Sequence, residues 1–176
     1  MMKNKVKPKR SVLFIWFAAE EVGLIGSKYY TQNPLLPVKN MTCMLNIDMV
    51  GRNEEKDDET AAENEGHIHL VGSRRGESEL HDLIINTNKN HIGFEFEYDE
   101  EENVFGRSDQ INFFRQGVPV AFLFGGFHPD YHQSSDLKTK INFNKVASAG
   151  RLVYLTAFAA AEHGRFKLQP AKNSDR

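Results

Sequence analysis

The 176-residue chain has one cysteine, Cys43, so no internal disulfide can form and a cysteine-rich zinc site is excluded. Any metal must be held by carboxylates and imidazoles. Charge of one sign is also lacking, with 22 Lys and Arg against 24 Asp and Glu. That balance leaves no footprint for nucleic acid and no polybasic membrane anchor. No stretch approaches the ~20 consecutive apolar residues that span a bilayer. There is no internal repeat and no linker that would divide the chain, so residues 1–176 are expected to form a single domain. What is present is an apolar share of 40%, enough for a packed core.

Residues 1–10 form a basic stub, and 11–19 are rich in Val, Phe, Ile and Trp, ending at Ala18-Ala19. The layout resembles a secretory signal. Against it, the apolar run is short, Trp16 and Phe17 crowd the supposed cut, and cleavage would part a strand from Glu20-Glu21. A strand buried on both faces is the preferred reading of 11–19, and 41–47 is a second. Further strands are expected at 67–71, 94–98 and 118–124. Helices are expected at 22–31, 77–90, 110–115 and 142–165. The polar, acidic segment 52–66 has too few apolar residues to pack and is expected to be a mobile loop. Strands alternating with helices predict an α/β sandwich.

Three chemically capable groups fall where strands stop, the place where ligand sites gather in open α/β sheets. Glu20-Glu21 follow the first strand, Asp48 follows the second, and His132 lies in the loop after 118–124. Any one of these alone reads as a solvated carboxylate or a surface histidine. Their common position points to a site. Adjacent carboxylates diverge, so one can bind a metal while its neighbour faces water as a general base. Carboxylates mixed with imidazole suit a catalytic zinc with open positions. Asp136 is placed to receive the other N–H of His132. Asp109 either orients groups of the site or caps the helix that follows it. His67, His69, His81, His91, His128 and His163 have no ligand-like partners in the sequence, although His128 shares a loop with His132.

Residues 11–27, with Glu20-Glu21 and the turn through Gly23, Gly26 and Ser27, resemble the acidic-pair segment of the co-catalytic dizinc aminopeptidases. These are the clan MH exopeptidases, which include bacterial leucyl aminopeptidases and aminopeptidase Y. Leu45-Asn46-Ile47-Asp48-Met49-Val50-Gly51 resembles their second metal segment. Ser108-Asp109, Gly117-Val118-Pro119, Tyr131-His132, Asp136 and Lys140-Ile141 resemble the C-terminal signature. The resemblance implies a three-layer sandwich of the phosphorylase/hydrolase type around a mixed, mostly parallel sheet. It implies two zinc ions and a peptide substrate cleaved at its first bond by zinc-activated water. Glu20 would be the general base, Glu21 and His132 would hold one zinc, and Asp48 the other. Tyr131 would polarise the substrate carbonyl or line the pocket. An extracellular or periplasmic location is implied by the resemblance alone.

The family also uses an upstream His-x-Asp motif, and no such triplet occurs in these 176 residues. The chain is therefore expected to be an N-terminally truncated catalytic domain, inactive by itself, with an exposed sheet edge open to self-association. Two other readings are a non-catalytic binding module on the same fold and a glutaminyl-cyclase-like zinc enzyme. The retained Glu20, Glu21, Asp48 and His132 favour enzyme ancestry over the first. The segments around Glu20-Glu21 and Asp48 look closer to the peptidases than to the second.

Overall fold

The computed structural model describes residues 5–56, 60–75, 79–166 and 168. Along the chain come α1 (Ile25–Gln32), β1 (Met44–Asp48), β2 (His67–Val71), α2 (Glu79–His91) and β3 (Glu95–Glu97). They are followed by α3 (Glu101–Val104), α4 (Gln110–Phe114), β4 (Val120–Phe124) and α5 (Phe143–His163). The four strands form one sheet in the order β1-β4-β2-β3. β1 runs parallel to β4, and β2 parallel to β3, while β4 and β2 are antiparallel. The sheet is thus mixed and mostly parallel.

β4 organises the layers because all five of its residues are apolar and buried. Side chains alternate across a strand. Ala121 and Leu123 face one core, shared with Leu80 and Ile84 of α2 and with Ala149 and Leu152 of α5. Val120, Phe122 and Phe124 face the other, with Ile111 and Phe113 of α4 and Phe105 just after α3. Burying each large side chain stabilises the fold by ~1.5–3 kcal/mol. Helices on both faces of the sheet give the expected three-layer α/β sandwich. α5 starts where its sequence allows, since Asn142 accepts a hydrogen bond from the Lys145 backbone N–H at 3.1 Å. Cys43 packs against the first of these cores, and burial pushes its thiol up to about 12, so it is unreactive.

Residues 11–19 depart from expectation. They form no strand, and Trp16 is 88% exposed, with Leu13 and Phe14 exposed beside it. An extended run becomes a strand only where a neighbour completes its ladder. Among the described residues none pairs with it. The end of the run is anchored: the Phe17 ring lies 5.8 Å from that of Phe113 and 6.4 Å from that of Tyr30, and the carbonyls of Ala18 and Ala19 accept from Gly26 N at 3.0 Å and Ile25 N at 3.1 Å. The second expected strand is shorter than 41–47 and lies at the sheet edge, where Ile47 is exposed. In the segment 52–66, residues 57–59 lie outside the described residues. On either side of them Glu54 and Asn64 are buried, held by hydrogen bonds where apolar packing is absent. The remaining helices and strands fall within a few residues of their expected places.

Candidate active site

A backbone turn after Glu20 and a close loop crossing at Gly125 bring the acidic pair, Asp48 and His132 together. Carbonyl O of Glu20 accepts from the backbone N–H of Gly23 at 3.1 Å and of Leu24 at 2.9 Å, folding the chain back into α1. Asp48 closes β1. The parallel neighbour β4 ends beside it, so the loop carrying His132 leaves from the same end of the sheet. Gly125 N donates to Asp48 O at 3.3 Å, and a Cβ on Gly125 would stand 2.1 Å from Met49 O. Only glycine lets the loop cross so close. His132 Nε2 then reaches Glu21 Oε2 at 3.2 Å.

Ala19, Met49 and His132 all adopt left-handed backbone, with φ of 58°, 58° and 56°. Such a conformation costs roughly 1–2 kcal/mol for a residue with a Cβ. One sits before Glu20, one after Asp48, and the third is His132 itself; Leu24, with φ of 55°, lies in the turn that follows Glu20 and Glu21. Backbone strain concentrated at functional side chains is a mark of a site whose surroundings over-determine it.

Asp48 Oδ2 accepts from Ser108 Oγ at 2.8 Å, and Asn46 Nδ2 donates to both Ser108 Oγ at 2.8 Å and Gln110 Oε1 at 2.9 Å. Burial raises the pKa of Asp48, Glu21 adds to the rise, and the Ser108 hydrogen bond opposes it. Glu20 is raised by burial and then by Asp48, Glu21 and Asp109, with His132 pulling it back. Asp109 is raised by burial and by Asp48, against a hydrogen bond from Ser27. These carboxylates therefore crowd one another without enough positive charge. One buried oxygen, Asp109 Oδ1, has no hydrogen-bond partner at all. A crowd of acids with an orphaned buried oxygen fits a cation, and the oxygen and imidazole donors suit zinc.

The other expected residues are placed as follows. The ring of Tyr131 stacks on that of His132, with centroids 3.9 Å apart, and its hydroxyl accepts from Arg107 Nη2 at 3.2 Å. Asp109 stands just before α4 but makes no side-chain cap; it is buried, toward Asp48 and Ser27. That favours orientation of the site over capping. Asp136 bonds Arg52 Nη1 at 2.6 Å, so its partner is a guanidinium and not the His132 imidazole.

Two acid and histidine groups were not apparent in the sequence. Glu54, His69 and Glu97 form one, and His128, Asp130 and Asp136 the other, each with ligand atoms within 4.8 Å of one another. Each already holds a cation of the protein. Lys56 Nζ lies 3.4 Å from Glu54 and 3.0 Å from Glu97, and Arg52 grips both Asp130 and Asp136. The first group did leave a signal. His67 and His69 stand directly opposite Glu95 and Glu97 on β2 and β3, and alternating opposite charges are the pattern of cross-strand pairs. Arg52 left none, and Ser108, which lies in the C-terminal signature, gave no sign that Asp48 is its partner, because both find their partners far away in the chain.

The sequence pattern of peptidase family M28 matches residues 1–157. The leupeptin-inactivating enzyme 1 of Streptomyces exfoliatus is 30% identical over 161 residues, covering 78% of this chain and 32% of that protein. Aminopeptidase YwaD of Bacillus subtilis is 28% identical over 166 residues, covering 90% of this chain and 34% of that protein. The chain thus spans about a third of the length of these curated relatives. Among solved structures, the LapA aminopeptidase of Legionella pneumophila superposes with a TM-score of 0.76 at 22% identity, over 93% of this chain and 43% of that one. The aminopeptidase of Aneurinibacillus sp. strain AM-1 gives 0.64 at 26% identity, over 89% of this chain and 35% of that one.

Proposed function

The chain belongs to peptidase family M28, and from that membership we propose that it forms part of the catalytic domain of a zinc aminopeptidase cleaving N-terminal peptide bonds. The observation that carries the proposal is the convergence of Glu20, Glu21, Asp48 and His132, with Glu21 and His132 in contact at 3.2 Å. Glu21 and His132 would hold one zinc ion and Asp48 a second. Bound zinc supplies Lewis acidity toward the peptide carbonyl and lowers the pKa of water. Glu20, whose raised pKa brings it nearer neutrality, takes the proton of the attacking water as general base and returns it to the leaving amine. Ser108 and Asn46 fix the Asp48 carboxylate. Tyr131, stacked on His132, forms part of the wall that faces the peptide.

Glu21, Asp48 and His132 give neither zinc the three protein ligands usual for catalysis. We propose that the chain alone binds zinc weakly and does not hydrolyse aminoacyl-arylamides. Titration calorimetry on the metal-stripped chain tests the first statement, and an arylamide assay of the purified chain with zinc added tests the second. Weak binding abolished by Glu21→Ala and by His132→Ala is expected. Tight binding of two ions, or arylamide cleavage by the purified chain, would overturn the inactivity. Binding indifferent to both substitutions would overturn the site.

We also propose that the chain self-associates through its exposed apolar groups, Ile47 on the free edge of β1 and Leu13, Phe14 and Trp16 in the run before Glu20. Trp16 is the only tryptophan of the chain, so its emission should shift to the blue as protein concentration rises. A fully solvated emission at every concentration, with a monomer in sedimentation, would refute this.

A further inference from the structure

We propose that Arg52 is the positioning residue that sets the His132 imidazole against Glu21, an assignment that rests on the aminopeptidase reading of this site. Arg52 stands four residues after Asp48, in the turn that leaves β1. Its guanidinium is largely buried and divides between two carboxylates. Nη2 donates to Asp130 Oδ2 at 2.6 Å and Nη1 to Asp136 Oδ1 at 2.6 Å. Lys140 Nζ holds the other oxygen of Asp130 at 2.6 Å. His132 lies between the two gripped aspartates in sequence, at a left-handed φ of 56°. Arg52 therefore closes the segment 130–136 into a ring with the imidazole on it.

The segment after β1 touches the loop beyond β4 at other points as well. Gly125 N reaches Asp48 O at 3.3 Å, Glu55 N reaches Phe127 O at 3.1 Å, and Asn142 N reaches Gly51 O at 2.8 Å. All three contacts fall outside 130–136. Among the described residues of this segment, Arg52 alone bonds into 130–136, where Gln133 N also donates to Asp130 O at 2.9 Å and Asp136 N to Gln133 O at 3.1 Å. A planar guanidinium can serve two carboxylates in a fixed geometry, and a lysine ammonium cannot reproduce that spacing. Arg52 thus transmits the position of β1, and with it Asp48, to the imidazole on the neighbouring loop.

The test reads the imidazole directly and needs neither metal nor turnover. In the isotope-labelled chain, long-range proton–nitrogen correlations of the His132 ring are recorded with and without Glu21→Gln. In the native chain the ring signals should move on Glu21→Gln, because the two side chains touch. In Arg52→Gln and Arg52→Lys that response should be lost, while the amide signals of β1 and β4 stay in place. Asp136→Asn, which leaves Asp130 paired with Lys140, should reduce the response and serves if an Arg52 variant fails to fold. An undiminished response in the Arg52 variants, or in Asp136→Asn where those do not fold, would overturn the proposal. Loss of the response in a chain whose zinc binding is indifferent to Glu21→Ala and His132→Ala would leave the positioning role standing and count against the zinc site alone.

Discussion

Glu54→Gln should uncouple the buried acid and histidine network that joins the segment after β1 to the loop after β4. Glu54 Oε2 lies 3.0 Å from His69 Nε2 and 3.4 Å from Lys56 Nζ, and Oε1 accepts from the Phe127 backbone N–H at 3.3 Å. Burial by itself would raise the Glu54 carboxyl. His69, Lys56 and the Phe127 N–H outweigh burial and bring it down to about 2 from 4.5. A fall of that size corresponds to about 3 kcal/mol at full strength. Solvent reaches the network past Asp99, whose side chain is 58% exposed, and screening should leave about 2 kcal/mol. The sign follows from the depressed folded value. The unfolded chain binds the proton more readily, so the stabilisation is present above pH 4.5 and is lost as pH falls toward 2. Glutamine keeps the shape and removes the charge. Urea unfolding at pH 7 should show the variant less stable by about 2 kcal/mol, and at pH 3 the gap should shrink to under half of that. A gap equal at both pH values, or one that widens in acid, would refute the electrostatic origin of the stabilisation.

Two further outcomes follow from local geometry. Ser108→Ala removes the donor to Asp48 Oδ2 and should cost about 1–2 kcal/mol of stability in urea unfolding. It should also raise the Asp48 carboxyl further, since the Ser108 hydrogen bond, ahead of one from the Met49 backbone, opposes the rise that burial causes; a downward shift of its carboxyl-carbon titration would contradict the assignment. Gly126→Ala meets both a φ of +87° and Glu54 Cβ at 2.5 Å. It should destabilise by upwards of ~2 kcal/mol, and an unchanged urea midpoint would show that the loop has room the packing denies.

Much of the architecture was legible because it depends on local pattern. β4 reads as an unbroken apolar run, and such a run of five has to be covered on both faces. α5 announces its start at Asn142 and repeats its apolar face over six turns' worth of sequence in the right period. Residues 11–19 misled for the same reason that β4 did not. Their composition fits a buried strand equally well, but a strand needs a neighbour, and composition does not supply one. In the site, the acidic pair, Asp48 and His132 could be picked out because each chemical group sits where an apolar run stops.

The sequence by itself determined which side chains could carry chemistry and which segments could be helix or strand, since both follow from residue type and short-range period. Only the tertiary structure decided who pairs with whom. Asp136 goes to Arg52 and not to His132, Ser108 goes to Asp48 across sixty residues of chain, and His69 finds Glu54 and Glu97 in the core. Those partnerships depend on which strands lie side by side and on how closely two loops cross at Gly125. Distances of that kind are set by packing the whole chain, and no window of sequence contains them.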